Sequence, residues 1–193
     1  LEIMLKMLDA EFAMVLYDGE TGQVMAARDP IGIRPLFYGF TKTGSISFSS
    51  EAKGLIEFCD GVQPFPPGHY YRDGEFHVYN DIADPKMIID EDEEVIVKNI
   101  REKLEAGIIK RLHSDAPLGF LLSGGLDSSL VCAVAQKHLD KPIKTFAVGM
   151  ETDPIDLKYA KEVADYLGTE HTEVIMTKDD ILKKKKKVIW HLE

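Results

Sequence analysis

Leu121-Leu122-Ser123-Gly124-Gly125-Leu126-Asp127-Ser128-Ser129 is the stretch that decides how this chain folds and what it can hold. Two apolar residues end a strand, two glycines turn the chain, and a hydroxyl-rich segment opens a helix. Glycine lets backbone N–H groups approach an anion with no side chain in the way. The start of a helix adds N–H groups that lack intrahelical partners and the positive end of the helix dipole. Ser123, Ser128 and Ser129 bring hydroxyls to the same space. The stretch therefore reads as a cradle for a phosphate or pyrophosphate, against the plainer reading of a capped strand-turn-helix. Asp127 stands apart, because a carboxylate repels phosphate; it fits either as a magnesium ligand beside the phosphates or as the N-cap of the helix. The loop is not a Walker A loop, since the Lys of GxxxxGK[ST] is missing.

Working outward, the surrounding residues alternate in period. Ile96, Ile100, Leu104, Ile108 and Leu112 recur every four residues, the mark of an amphipathic helix. A strand over 118–122, a helix over 128–137, a strand over 144–148, a helix over 157–167 and a strand over 170–176 follow. Strand-helix alternation at this spacing predicts a parallel sheet with helical crossovers. Residues 183–187 are five consecutive lysines, read as a solvated face in preference to a basic docking patch.

The residues before about 80 have another rhythm. Strand-like runs at 12–17 and 23–28 flank a turn-rich linker, runs at 35–40 and 45–49 flank a second, and Asp73-Gly74 joins 69–72 to 75–79 as a two-residue hairpin. Antiparallel sheet is expected, with a second layer to cover its face. The stretch from Asn80 to Glu94 turns acidic, with Asp84-Pro85 and five consecutive acidic residues at 90–94. It reads as a connector, so the domains are placed at 1–84 and 85–193.

Composition excludes several classes. A hydrophobic content of 45% supports real cores, and 23 basic against 33 acidic residues give a net charge of -10, which disfavours nucleic acid as a partner. Cys59 and Cys132 show no zinc-ligand spacing and fit a reducing compartment, so a cytoplasmic location is expected. No apolar run reaches membrane-spanning length. The amphipathic opening Leu1-Glu2-Ile3-Met4 and the helical pattern still running at Ile189-Trp190-His191 lead us to expect a piece of a longer polypeptide.

Ser123-Gly124-Gly125-Leu126-Asp127-Ser128 resembles the SGGxDS loop of the ATP-pyrophosphatase (PP-loop) family, whose members cleave ATP to AMP and pyrophosphate. GMP synthetase, NAD synthetase, argininosuccinate synthetase and tRNA-modifying enzymes share that loop, so it gives the reaction class and not the substrate. Ser114-Asp115-Ala116-Pro117-Leu118-Gly119 before it, and Thr145-Phe146-Ala147-Val148-Gly149-Met150 with Asp156-Leu157 and Ala160 after it, are similar to the asparagine synthetase family. The resemblance implies an adenine nucleotide α-hydrolase-like domain in which Ser123, Gly124, Gly125, Asp127 and Ser128 hold pyrophosphate and its Mg2+, with Asp127 on the metal. Leu121 and Val148 would hold the adenosine of ATP through their backbones; plain strand core is the other reading of both.

Arg28-Asp29-Pro30-Ile31-Gly32-Ile33-Arg34-Pro35-Leu36-Phe37-Tyr38 and Ser49-Ser50-Glu51-Ala52-Lys53 resemble the class II glutamine amidotransferase domain, an N-terminal-nucleophile glutaminase built as an antiparallel sandwich between helices. Phe65-Pro66-Pro67-Gly68-His69-Tyr70 is similar to a segment near the end of that domain. By this resemblance Asp29 binds the amino group of glutamine; a structural Arg28–Asp29 pair is the alternative. The fold class expected is thus α+β followed by α/β, both domains incomplete.

Together the resemblances imply a ligase. Aspartate attacks the α-phosphate of MgATP to give β-aspartyl-AMP and pyrophosphate, and ammonia from glutamine displaces AMP to give asparagine. Glutamine, aspartate and ATP are the implied partners, nucleic acid and membrane are not, and homo-oligomerisation of the full-length protein stays open. The family's nucleophile is an N-terminal cysteine, whereas position 1 is Leu1, and the later Ser-Gly-Glu-Gly-Ser-Asp-Glu-like phosphate segment is missing. The polypeptide alone is therefore expected to be inactive. Phosphoribosyl-pyrophosphate and glucosamine-phosphate amidotransferases lack the loop; a β-lactam-synthetase-like enzyme or a non-catalytic paralogue are the other readings.

Overall fold

Three glycine-punctuated hairpins build most of the first part of the computed structural model, which describes residues 1–85, 87–152 and 154–192. The chain forms two compact units, residues 1–88 with 191–193, and residues 89–190.

In the first unit, β1 (Ala13–Tyr17) pairs antiparallel with β2 (Val24–Arg28), and β6 (His69–Arg72) with β7 (Glu75–Val78) completes a four-stranded sheet in the order β1-β2-β6-β7. The β6–β7 turn is Asp73-Gly74 with φ of 53° and 89°, the positive pair a two-residue hairpin needs to match strand twist. A second antiparallel sheet has the order β4-β3-β5, from β3 (Phe37–Thr41), β4 (Ile46–Ser49) and β5 (Cys59–Pro64).

Successive strand residues face opposite ways, and β2 uses both faces. Ala26 joins Leu36, Phe65, Tyr71, Tyr38 and Phe48 in an aromatic-rich core between the sheets. Ala27 turns to the other face and packs with Leu5 of the short helix α1 (Glu2–Met7) and with Tyr79. Phe65 is fully enclosed, and its burial contributes about 1.5–3 kcal/mol. The layers are therefore helix, sheet, sheet.

The second unit opens with α2 (Glu93–Arg111), which carries Glu93 and Glu94 in its first turn and Lys110 and Arg111 in its last, each end matched to the helix dipole. Its predicted apolar stripe is buried only at Ile108; Ile100 stays 60% exposed. The parallel sheet has the order β10-β9-β8, from β8 (Phe120–Leu121), β9 (Lys144–Met150) and β10 (Glu170–Met176). Helices α3 (Leu126–His138) and α4 (Ile155–Leu167) make the crossovers and share one core with it, built on Leu122, Cys132, Ala135, Ile143, Ala147, Leu157, Ala160 and Ala164. Gly168 closes α4 in the left-handed conformation, φ 69°, the usual helix stop. Residues 183–187 lie within α5 (Lys178–Leu192) and are exposed, as a solvated run should be.

Three expectations change in detail. The first parallel strand is two residues long, not five, because Pro117 and Gly119 precede it. The helix after the loop starts at Leu126, not at 128, with Gly125 as its N-cap. Strand β5 was not anticipated: Cys-Asp-Gly-Val-Gln-Pro has no apolar alternation, and pairing with β3 recruits it.

Candidate functional site

The glycine-serine loop leaves the end of β8, where the Leu122 N–H still donates to the Phe146 carbonyl at 2.8 Å. Its hydroxyls organise it. The Ser128 hydroxyl donates to the Gly125 carbonyl at 3.3 Å and accepts from the Ser123 N–H at 3.3 Å, while Ser123 Oγ and Ser128 Oγ lie 3.0 Å apart. The Gly125 N–H donates to Ser123 Oγ at 3.4 Å. Among the described residues Ser129 Oγ is enclosed with no hydrogen-bond partner.

The two glycines do different things. Gly124 has φ 76°, and a Cβ there would lie 2.5 Å from the Tyr159 carbonyl carbon and Cβ and 2.6 Å from the Ala160 nitrogen. The α4 backbone is the wall behind it, so only glycine fits on two counts. At Gly125 a Cβ would meet Ser123 Oγ alone, at 3.5 Å. That position is the N-cap of α3, whose first N–H groups lack intrahelical partners.

The sequence-predicted residues Ser123, Gly124, Gly125, Asp127 and Ser128 thus come together at one helix start. Asp127 lies inside the first turn of α3 and is exposed; Gly125 is the N-cap, which removes the capping explanation of the carboxylate. Among the described residues no cluster of three or more metal-ligating side chains exists. A magnesium ion that travels with phosphates needs only one or two carboxylates, so an exposed Asp127 beside a hydroxyl-lined loop has the donor chemistry such an ion would need.

Leu121, which ends β8, is 79% exposed, and Val148 is 48% exposed within β9, which runs on to Met150 and does not end at Val148 as expected. Neither side chain is strand core, and both leave apolar surface open beside the loop, together with Leu126 at 82%. What the sequence could not supply is the wall: Tyr159 and Ala160 reach Gly124 only through the tertiary packing of α4.

Asp29 has another geometry. Its Oδ1 accepts from the N–H groups of Ile31, Gly32 and Ile33 at 3.1, 2.7 and 3.0 Å, and Oδ2 from that of Arg34 at 3.1 Å. Burial pushes this carboxyl up, but the four N–H groups outweigh it and hold it below the usual range. Arg28 does not pair with Asp29; its guanidinium donates to the carbonyls of Arg34, Phe65 and Gly32 at 2.7–2.8 Å. Both charges build the 29–34 loop. With Asp29 only 2% exposed, the expectation that it grips a glutamine amino group fits this geometry poorly, because its lone pairs already face backbone donors.

A glycine-serine loop between a parallel strand and a helix, following a two-layered antiparallel unit in the same chain, defines a two-domain class with an antiparallel first domain and a parallel-sheet second. Residues 2–82 match the glutamine amidotransferase domain family and residues 99–193 the asparagine synthase family. A probable glutamine-hydrolysing asparagine synthetase of Dictyostelium discoideum is 40% identical over 97% of this chain and 37% of its own length. Asparagine synthetase [glutamine-hydrolyzing] 2 of Arabidopsis thaliana is 42% identical over 100% of the chain and 35% of its own length. The corresponding enzyme of Asparagus officinalis is 43% identical over 97% and 33%. This chain belongs to the glutamine-hydrolysing asparagine synthetase family. It spans about a third of the length of the curated relatives it matches. Among the described residues no helix is long and apolar enough to cross a membrane.

Proposed function

We propose that this chain supplies the nucleotide loop and part of the amidotransferase domain of an enzyme that makes asparagine from aspartate, ATP and glutamine. The observation that carries the reading is the loop of Ser123, Gly124, Gly125 and Ser128 at the start of α3, pressed against α4 through Gly124. Here the first N–H groups of α3 and the serine hydroxyls bind the β- and γ-phosphates that leave as pyrophosphate. Asp127 would hold the Mg2+ that accompanies them. When bound, the metal offsets the negative charge that grows on the leaving pyrophosphate. Leu121 at the end of β8 and Val148 in β9 hold the adenosine.

With the phosphates fixed, the α-phosphorus is turned toward the aspartate carboxylate. Attack there forms β-aspartyl-AMP and breaks the bond to pyrophosphate; ammonia from glutamine then displaces AMP. Residues 1–84 are read as part of the amidotransferase sandwich and residues 85–193 as part of an adenine nucleotide α-hydrolase-like domain. Neither thiol within the 193 residues suits the glutaminase nucleophile. Cys59 and Cys132 are both buried, and burial pushes the Cys132 thiol up, away from the reactive thiolate. The polypeptide alone therefore leaves glutamine unhydrolysed, and free buried thiols suit a reducing, cytoplasmic setting.

Phosphorus NMR of a preparation that turns over aspartate and MgATP tests the mechanism. AMP with pyrophosphate is expected, and ADP with phosphate would contradict it.

A further inference from the structure

The loop carries no lysine or arginine, so the donors that enclose its ligand must come from backbone, hydroxyls and neighbouring elements. One neighbour is fixed by contact. Helix α4 meets the loop at Tyr159, whose Cβ and carbonyl carbon occupy the space a Cβ on Gly124 would need. On the same helix Leu157, Ala160 and Ala164 face the core at 4%, 0% and 1% exposure, whereas Tyr159 is 48% exposed. Leu157 also fills the place of a side chain at Gly149, near the end of β9, with its Cγ 2.5 Å from where that Cβ would be. Two glycines, one in the loop and one near the strand end, thus seat α4 firmly, and the Tyr159 side chain starts at the loop without being consumed by the core. The ring has the Lys158 ammonium 5.8 Å from its centroid, which keeps positive potential on that flank.

We infer that Tyr159 is a ligand-contact residue of this loop: its phenol closes the cradle on the α4 side and donates a hydrogen bond to a phosphate oxygen of the bound nucleotide. The inference rests on the nucleotide reading above. A phenol suits the role chemically, because it donates to an anion without bringing a second carboxylate beside Asp127. It also deepens the site's specificity. One donor more beyond the loop's own would favour an extended polyphosphate over a single small anion, which has fewer oxygens to share.

Tyr159→Phe keeps the packing on Gly124 and removes only the hydroxyl. Binding of MgATP and of magnesium pyrophosphate to the chain is measured by titration calorimetry, with the thermal midpoint recorded for each protein. A hydrogen bond to a charged oxygen predicts weakening by about tenfold or more for both ligands, with the midpoint unchanged. Inorganic phosphate should respond less. Tyr159→Ala is the second variant; it should lose at least as much affinity while its midpoint reports the packing separately. Unchanged affinity in Tyr159→Phe overturns the role of Tyr159 and leaves the loop assignment standing. Absence of MgATP binding in the unsubstituted chain overturns both.

Discussion

Alanine at Gly124 and alanine at Gly125 should have opposite consequences, although the two residues are adjacent. At Gly124 the backbone is left-handed, φ 76°, which costs an L-residue roughly 1–2 kcal/mol. The added methyl would also sit 2.5 Å from α4 backbone and Tyr159 Cβ. No flexible side chain can give way there, and overpacking of this kind costs about 1–3 kcal/mol. The sum is about 2–5 kcal/mol. For a unit of about a hundred residues, each kcal/mol lowers the midpoint by about 4–8 °C, so Gly124→Ala should melt about 10 °C or more below the parent chain. Gly125 has φ -74° and open space around it. Alanine there loses at most about 1 kcal/mol of N-cap preference, but its methyl enters the cradle. Gly125→Ala should therefore fold nearly normally and bind MgATP poorly. Circular dichroism melts at 222 nm and calorimetric titrations separate the two effects. A Gly124→Ala midpoint within about 2 °C of the parent would refute the argument that α4 backs the loop.

Other outcomes follow from the first unit and the thiols. Asp29 is held below its ordinary range, so its stabilisation is complete above the unfolded carboxyl value, about 3.9, and is lost as pH falls through the lower folded value. Acid unfolding followed by near-UV circular dichroism should show that loss, and Asp29→Asn should flatten it while destabilising the unit at neutral pH by about 2–4 kcal/mol. Gly68 has φ 66°, and a Cβ there would lie 1.9 Å from the Asn80 carbonyl oxygen; Gly68→Ala should abolish the cooperative melt of that unit. Cys132 is fully enclosed and its thiol is pushed up by burial, so an aromatic disulfide reagent should modify it only at the rate of unfolding.

Much of this architecture was written locally. Asp73-Gly74 fixes a hairpin because both residues tolerate positive φ, and the switch from period two to period four near Val95 marks where sheet gives way to helix. Leu157, Ala160 and Ala164 recur on one face and are the residues α4 buries. The strand-turn-helix loop was legible because glycine, serine and a helix start make one local unit. The wall behind Gly124 was not, since nothing in Tyr159 or Ala160 announces which loop they meet. Strand β5 escaped for a related reason: Gly61 at φ 68° and Pro64 are poor strand residues, and the sheet is completed by a partner distant in sequence. For Asp29 the family resemblance implied an ammonium partner; what the sequence did not announce is that its carboxylate collects four backbone N–H groups of its own loop.

Titration of the chain with MgATP, alone and in the presence of magnesium pyrophosphate, tests the central claim most directly. The account predicts saturable binding that pyrophosphate competes away and that Ser128→Ala, which removes the hub of the loop's hydrogen bonds, weakens without unfolding the chain. Binding of neither ligand, or MgATP binding indifferent to both pyrophosphate and Ser128, would contradict it.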